Sequence, residues 1–470
     1  MRLYNTLTRS EEAFTPGTGN TVRMYTCGLT VYARGHVGNF RTFVCVDVLR
    51  RTLKHLEGHE MRQVVNFTDV DDRTIAGALK AGMDLRSYTD QFITAFHEDS
   101  RVLGIEDVEE NPRATDPANI KAMADLIEAL GRNGHTYVSD GSVYFKISTM
   151  PDYGKLAHLD HDGMQTCARI DADNYAKDDA RDFVLWKATK PDEPTWTEVD
   201  PPGRPGWHLE CSAMALRLLG EPPIDIHTGG IDLIFPHHEN EIAQSEGATG
   251  KPFSRFWFHV EYLLVNDEKM SKSLGNTHTI PDLVERGYRP SAVRYLLLSS
   301  HYRKQLNFTW ESLTGAEKAL QRLMALLGRL DGVTRAGSHA EIETKIAAAR
   351  EAFSAALRDD LNTAGALGAI FELVTALNSA IDAGEFGSDD AAAVRVAFDE
   401  FDRVLGILSI RRAEEAQPPL PVEEIEKQIE ARHAARRQRD FAAADRIRNE
   451  LAERGIILED SAGKTRWKRK

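Results

Sequence analysis

Two short motifs constrain what this chain can fold into. Lys269-Met270-Ser271-Lys272-Ser273 sets two ammonium groups and two small hydroxyls on one loop, followed by Leu274-Gly275-Asn276. Gly35-His36-Val37-Gly38-Asn39 sets an imidazole, a glycine and an amide where an early strand should turn into a helix. Glycine lets backbone approach phosphate oxygens, and a helix N-terminus favours an anion. Brought together, the motifs could hold a triphosphate from two sides, the lysines neutralising charge as pyrophosphate leaves. A His-x-Gly string is weak by itself. The lysine pentapeptide is specific: at ~5% usage per position, chance gives it on the order of once in ten thousand chains of this length.

The first motif sits in a repeating pattern. Residues 22–27 read as a strand, 40–56 as a helix and 61–68 as a second strand. Strand, helix, strand within ~50 residues predicts a parallel nucleotide-binding sheet. Ligands bind at the carboxyl ends of such strands, where Cys27, Thr68 and His227 would lie. Residues 224–227 and 258–265 read as later strands. The stretch 112–205 interrupts the pattern with a helix near 118–130, a hairpin over 135–147, dense charge over 171–182, and prolines at 191, 194, 201, 202 and 205. It reads as an insertion between two halves of one sheet. From Trp310 onward strands give way to helical stripes, Leu320, Leu323, Leu327 and Leu330, then Leu367, Ile370, Phe371, Val374 and Leu377. Residues 414–421 have linker composition, and one charged helix with a short apolar run, 455–459, follows.

The expected fold class is therefore α/β. A Rossmann-like parallel-sheet catalytic domain in two halves (1–111 and 206–309) carries a connective insertion (112–205). An α-helical bundle (310–412), a linker (413–422) and a small C-terminal module (423–470) complete the chain.

The 470 residues suffice for several domains. No apolar run reaches the ~18 to 20 residues of a membrane span, and the first nine residues lack a signal-peptide core. A cytoplasmic protein away from membranes is expected. Four cysteines argue against a disulfide framework. The net charge of -14 argues against nonspecific nucleic-acid binding, yet a local basic surface can still make contact. Residues 432–439 and 464–470 are such basic stretches. They read either as nucleic-acid contacts or as a solvated helix face and a frayed tail.

Pro236-His237-His238-Glu239-Asn240-Glu241 carries a second chemistry. Proline suits the first turn of a helix. His237 and Glu241, four apart, then share a face and can reach one zinc ion. Cys211 and Cys27 would complete a set of two thiolates, one imidazole and one carboxylate. The ligands are dispersed, and the same residues also fit two buried cysteines beside an ordinary His/Glu pair. His238 is expected to point elsewhere on the helix. Cys45, inside Phe43-Val44-Cys45-Val46, reads as core, and Cys167 has no partner of convincing spacing.

The two nucleotide motifs resemble the signature pair of class I aminoacyl-tRNA synthetases. Further strings resemble the cysteinyl-tRNA synthetases from end to end. They are Cys27-Gly28-Leu29-Thr30-Val31-Tyr32, Asn66-Phe67-Thr68-Asp69-Val70-Asp71-Asp72, residues 203–214, residues 235–244, Asp359-Asp360-Leu361-Asn362-Thr363 and residues 440–445. The resemblance implies one Zn2+ per chain on Cys27, Cys211, His237 and Glu241. It implies cysteine binding by Gly28, Thr68, Trp207 and His227, and ATP binding by His36, Gly38, Asn39, Gly230, Asp232 and Lys272, with Mg2+. His36, Asn39, Lys269 and Lys272 would stabilise the reacting phosphates. L-cysteine, ATP and tRNA are the implied partners, and a monomer the implied state. Zinc prefers a thiolate to a hydroxyl, so the metal would separate cysteine from serine without an editing site.

Asn39 stands where the class signature has histidine, Thr277-His278-Thr279 where an aromatic pair is expected, and Gly35 where a bulkier residue is common. Three other readings share parts of the pattern. A ligase passing cysteine to a small amine would not need the helical bundle and basic tail. A noncatalytic tRNA-binding paralogue should have lost a lysine or a zinc ligand. A generic nucleotidyltransferase leaves the metal constellation unexplained.

Overall fold

A computed structural model describes residues 1–159, 181–270, 275–416, 420–461 and 464–469. Ser271, Lys272, Ser273, Cys167 and most of the charge-dense stretch 171–182 lie outside the described residues. The chain forms two compact units, Met1–Gly406 and Ile407–Lys470.

In the first unit a hairpin, β1 (Arg2–Asn5) and β2 (Ser10–Ala13), precedes β3 (Thr21–Thr26), the helix Val37–His55 and β4 (Glu60–Val65). The insertion contributes an antiparallel sheet of β5 (Thr136–Ser139), β6 (Ser142–Phe145), β7 (Phe183–Ala188) and β8 (Gly203–Pro205). The chain then returns through the helix Trp207–Leu219 to β9 (Ile224–Gly230) and β10 (Ser254–Val260). The central sheet has the order β10-β9-β3-β4 and is parallel throughout. The chain leaves β3 toward β4 on one side and comes back to β9 on the other. A crevice therefore opens between the carboxyl ends of β3 and β9, the topological switch point where α/β sheets bind ligands. Cys27 follows β3 directly, and Gly230 ends β9.

The insertion shares its core with the sheet. Val143, Phe145, Phe183 and Trp186 belong to one buried cluster with Tyr25, Val64, Leu209, Ile224 and Trp257. A clamp of charge reinforces the junction: Asp72 accepts from Lys187 Nζ at 2.8 Å and from the buried guanidinium of Arg204. These cations, against the effect of burial, hold Asp72 down at about 2.

The apolar run at 258–265 is not one strand. Glu261 and Tyr262 break it, so β10 stays in the parallel sheet while β11 (Leu263–Val265) starts a second one. There β11 pairs antiparallel with β12 (Glu268–Lys269) and parallel with β13 (Leu306–Phe308). Four long helices follow, Trp310–Leu330, Ala340–Arg358, Thr363–Ala383 and Ser388–Leu405. The expected stripes are buried, except that Leu373 takes the inward place and Phe371 is half-buried under the Arg322 guanidinium. Thr363–Ala383 is long and apolar enough to cross a membrane, with mean hydropathy 1.5 in its 18-residue window. Unbroken apolar runs miss this helix because its polar residues are scattered. Its buried stripe is the bundle core.

The second unit holds the helices Leu408–Ala416, Val422–Arg437 and Phe441–Glu453, then a hairpin of β14 (Ile456–Ser461) and β15 (Lys464–Arg469). There are thus two helices after the linker, not one, and the basic tail is a strand rather than a frayed end. Arg432 is no solvated residue either. It is buried, and both its terminal nitrogens donate to Asp460, at 2.9 and 2.7 Å. Its core is small, with Leu420, Ile425, Leu451 and Ile456 at its centre, so a bidentate pair matters there.

In the first unit, Arg294 is wholly buried and donates to Asp47 at 2.5 Å, to the Leu405 carbonyl at 2.6 Å and to the Leu103 carbonyl at 3.0 Å. Burial pushes the Asp47 carboxyl up, but Arg294 and Arg51 outweigh it and hold it below its ordinary value. That contribution is complete above about pH 4 and is lost as the pH falls through the lowered native value. Arg294→Ala should cost about 3–5 kcal/mol, because it strands a buried carboxylate. Urea denaturation at neutral pH measures this.

Candidate functional site

The crevice at the switch point is a cavity of about 360 Å³, within the range of small-molecule sites. Its wall includes Cys27, Gly28, His36, Gly38, Asn39, Trp207, Gly230, Asp232 and Lys269. Nine of the residues singled out from sequence thus meet in one place. Thr68 and His227 do not line it; both are buried behind the wall. Gly28 must be glycine, since a Cβ there would sit 1.5 Å from the Asn66 carbonyl oxygen.

His36 is the N-cap of the helix Val37–His55. The Asn39 N–H donates to His36 Nδ1 at 3.3 Å, and the His36 N–H donates to Asn39 Oδ1 at 3.0 Å. This reciprocal capping box explains what an amide does at the fourth position. With Nδ1 accepting, the proton of a neutral His36 ring sits on Nε2. The segment that follows the other motif is joined to this one through backbone. The Val37 N–H donates to the His278 carbonyl at 2.8 Å, and His36 bridges Thr279. Thr279 in turn caps the helix Ile280–Glu285, and the His278 ring packs against Phe308 and Trp310, so an imidazole occupies an aromatic setting. Lys269 rests with Nζ 4.6 Å from the centroid of the Tyr262 ring, itself part of the wall.

Behind the cavity lies a buried donor cluster. Cys27 Sγ is 3.7 Å from Cys211 Sγ and 3.4 Å from Glu241 Oε1, and His237 Nε2 is 3.1 Å from that same oxygen. One atom from each of these four side chains lies within 4.8 Å of the others. Regular helix begins only at Glu239, because Phe235 is extended and Pro236 sits in the turn before it. The expected His237–Glu241 pairing survives that irregularity.

His238 departs from expectation. Its Nε2 lies 3.3 Å from Cys27 Sγ, and Cys27, His227, His238 and Glu241 form a second possible ligand set. An outer ring of side chains orients these donors. His227 Nε2 is 2.8 Å from Glu241 Oε2, His208 Nδ1 is 2.9 Å from His237 Nδ1, and His238 Nδ1 is 2.8 Å from His259 Nε2. Trp207 stacks on His237 at 4.3 Å and 19°.

Burial makes the charged forms of these donors costly. Burial pushes the Cys27 thiol well up, with Cys211 and Glu241 adding to it, and burial also raises Cys211. Burial drives His237 and His238 well down. Two thiolates and a carboxylate packed this closely and this deeply would be costly to hold together unless a metal joined them. Two sulfurs, a nitrogen and an oxygen suit tetrahedral zinc, and His237 and Glu241 each have an outer partner, His208 and His227, that orients them. The residues fit the group.

Residues 13–318 match the family described as tRNA synthetases class I (C) catalytic domain, 352–409 a DALR domain, and 419–467 a cysteinyl-tRNA ligase anticodon binding domain. A cysteine–tRNA ligase of Solibacter usitatus (strain Ellin6076) is 51% identical over 472 residues, covering 100% of both chains. One of Koribacter versatilis (strain Ellin345) is 45% identical over 497 residues, again 100% of both. The chain belongs to the cysteine–tRNA ligase family. Among solved structures it is similar in fold to Mycobacterium tuberculosis methionyl-tRNA synthetase in complex with methionyl-adenylate. That TM-score is 0.58 at 18% identity, over 83% of this chain and 90% of the other. The LeuRS of an Agrobacterium radiobacter K84 ternary complex gives a TM-score of 0.60 at 12% identity, over 84% and 85%. These two speak to the class I fold alone.

Sequence reasoning passed over Arg73 and Tyr262 in the wall, and His208 and His259 in the outer ring. Arg73 directly follows the Asn66–Asp72 string and stands over the Tyr32 ring, so its position was the available signal. Cys211→Ala or Glu241→Gln should abolish stoichiometric metal in the purified protein, while Cys45→Ala, in the core at the other face, should leave it intact. Elemental analysis decides this.

Proposed function

We propose that this cavity activates L-cysteine with ATP to cysteinyl-adenylate and that the chain passes the cysteinyl group to the 3′ end of tRNA. The observation that carries the reading is the position of Cys27. It belongs to the nucleotide-side wall and to both possible metal-ligand sets, so a ligand on the metal would lie beside a bound triphosphate.

Cys27, Cys211, His237 and Glu241 would hold Zn2+, with His238 as their close neighbour. Bound there, zinc would supply a preference for the cysteine thiolate over the serine hydroxyl. Trp207, stacked on His237 and open to the cavity, would close over the amino acid. Thr68 and His227 would act from behind, Thr68 through Glu210, whose Oε2 accepts its hydroxyl at 2.7 Å, and His227 through Glu241.

The chemical step is attack by a carboxylate on the α-phosphorus of ATP. The nucleophile is already ionised at neutral pH, so no general base is needed. What the chain supplies is position and charge. His36 and Asn39 would meet the phosphates at the helix N-terminus, with Gly38 allowing close approach. Gly230 and Asp232 would meet the ribose. Lys269 would leave the Tyr262 ring for the triphosphate, joined by Lys272, and Mg2+ would accompany ATP. The match of 419–467 to an anticodon binding domain favours tRNA over a small amine as acceptor. A monomer acting in the cytoplasm is part of the same reading, as is a division of the chain near residues 111, 205, 309, 412 and 422.

Charging of total tRNA by the purified protein, with ATP, Mg2+ and labelled cysteine or serine, tests the proposal. Cysteine should be attached and serine refused. Cysteine-dependent ATP–pyrophosphate exchange without charging of the cognate tRNA would transfer the reading to a small-amine ligase. Cys211→Ala should lose cysteine activation while ATP binding survives; unchanged activation in that metal-free variant would contradict the role given to zinc.

A further inference from the structure

Arg41 follows the His36–Asn39 box on the same helix and is almost fully buried, at 1% exposure. Among the described residues no carboxylate lies within ion-pair reach of it. Its guanidinium donates instead to three backbone carbonyls, those of Tyr262 at 3.4 Å, His301 at 3.3 Å, and Lys304. The Glu261 carboxylate attracts it only from beyond ion-pair range; a buried cation without a direct ion pair is costly, and an apolar side chain would usually serve a core better. Its retention here calls for a geometric reason.

The three acceptors supply one. Tyr262 immediately precedes β11, which pairs with β12, and β12 ends at Lys269. His301 and Lys304 belong to the turn leading into β13, the other neighbour of β11. That turn is tied to the same root: the Glu261 N–H donates to the Tyr302 carbonyl at 2.8 Å, and the Leu306 N–H to the Tyr262 carbonyl at 3.1 Å. From the far side Asp360 accepts from Tyr302 Oη and Arg303 Nε, both at 2.6 Å. Arg41 therefore grips the root of the small sheet that presents Lys269. Its own helix begins at the groups that would receive the phosphates.

We propose that Arg41 is a positioning residue that sets the distance between the His36 wall and the Lys269 wall of the cavity, and thereby the grip on the ATP triphosphate. This rests on reading the cavity as the ATP site. Lysine keeps the charge but cannot span three carbonyls, and glutamine removes the charge. The test compares Arg41→Lys and Arg41→Gln with the wild-type holoenzyme in cysteine-dependent ATP–pyrophosphate exchange. Hydrogen exchange of the segment 261–270 is measured in parallel.

In Arg41→Lys, kcat/KM for ATP should fall about tenfold, below the ~10² that an ångström of misplacement can cost, with KM for cysteine unchanged. Exchange should quicken at 261–270 while the β9 segment 224–230 stays protected. A residue that only fills the core would lower the melting temperature and raise exchange evenly, leaving KM for ATP alone; that result overturns the proposal. So does unchanged exchange at 261–270 in the lysine variant. Should the wild type itself show no cysteine-dependent exchange, the ATP-site reading fails, and hydrogen exchange still decides whether Arg41 holds the two walls.

Discussion

The rest of the structure depends on a cluster of metal-competent donors placed where water cannot reach them. Cys27, Cys211, His237, His238 and Glu241 are all buried, and each loses hydration that hydrogen bonds, a proton or a cation must replace. The parallel sheet makes the arrangement possible, because crossing from β4 to β9 leaves a crevice beside Cys27. The helix Trp207–Leu219 brings Cys211 from one direction, and the irregular turn at Phe235 brings His237 and Glu241 from another. The insertion adds its core to the sheet's and leads directly into Trp207, so it is part of the site's construction.

The His36 and Lys269 walls of the cavity obey a different constraint. Anion binding at a helix N-terminus needs pre-aimed donors and a cationic partner at fixed range. The capping box of His36 and Asn39 fixes one side. The bond from Val37 to the His278 carbonyl and the guanidinium of Arg41 fix the other to it. The segments on either side of the loop that carries the two lysines are thereby tied to the His36 wall.

Much of this was legible in the sequence, for identifiable reasons. Strand, helix and strand around His36 are local patterns, and the His237–Glu241 pair depends only on helical spacing. The dispersed thiols stand out as candidates beside His237 and Glu241, but family resemblance is what selects them, since spacing over 184 residues carries little geometry. The place of His238 beside Cys27 follows from helical spacing as well, since residues three apart share a face as those four apart do; weighing only the His237–Glu241 spacing misses it. The break between β10 and β11 is hard to read because 258–265 is mostly apolar on both sides of Glu261, which lies at the break. The buried state of Arg432 is invisible because its partner, Asp460, lies between a short apolar run and a basic tail that composition does not join into one hairpin. Arg41 gives no signal in sequence at all; its acceptors are carbonyls, which every residue carries.

Zinc K-edge X-ray absorption on the purified holoprotein, before and after L-cysteine, tests the central claim most directly. The account predicts two sulfur ligands at about 2.3 Å with two lighter donors, a third sulfur on adding cysteine, and no change on adding serine. A metal surrounded by nitrogen and oxygen alone, or a sulfur count that cysteine does not raise, would contradict it.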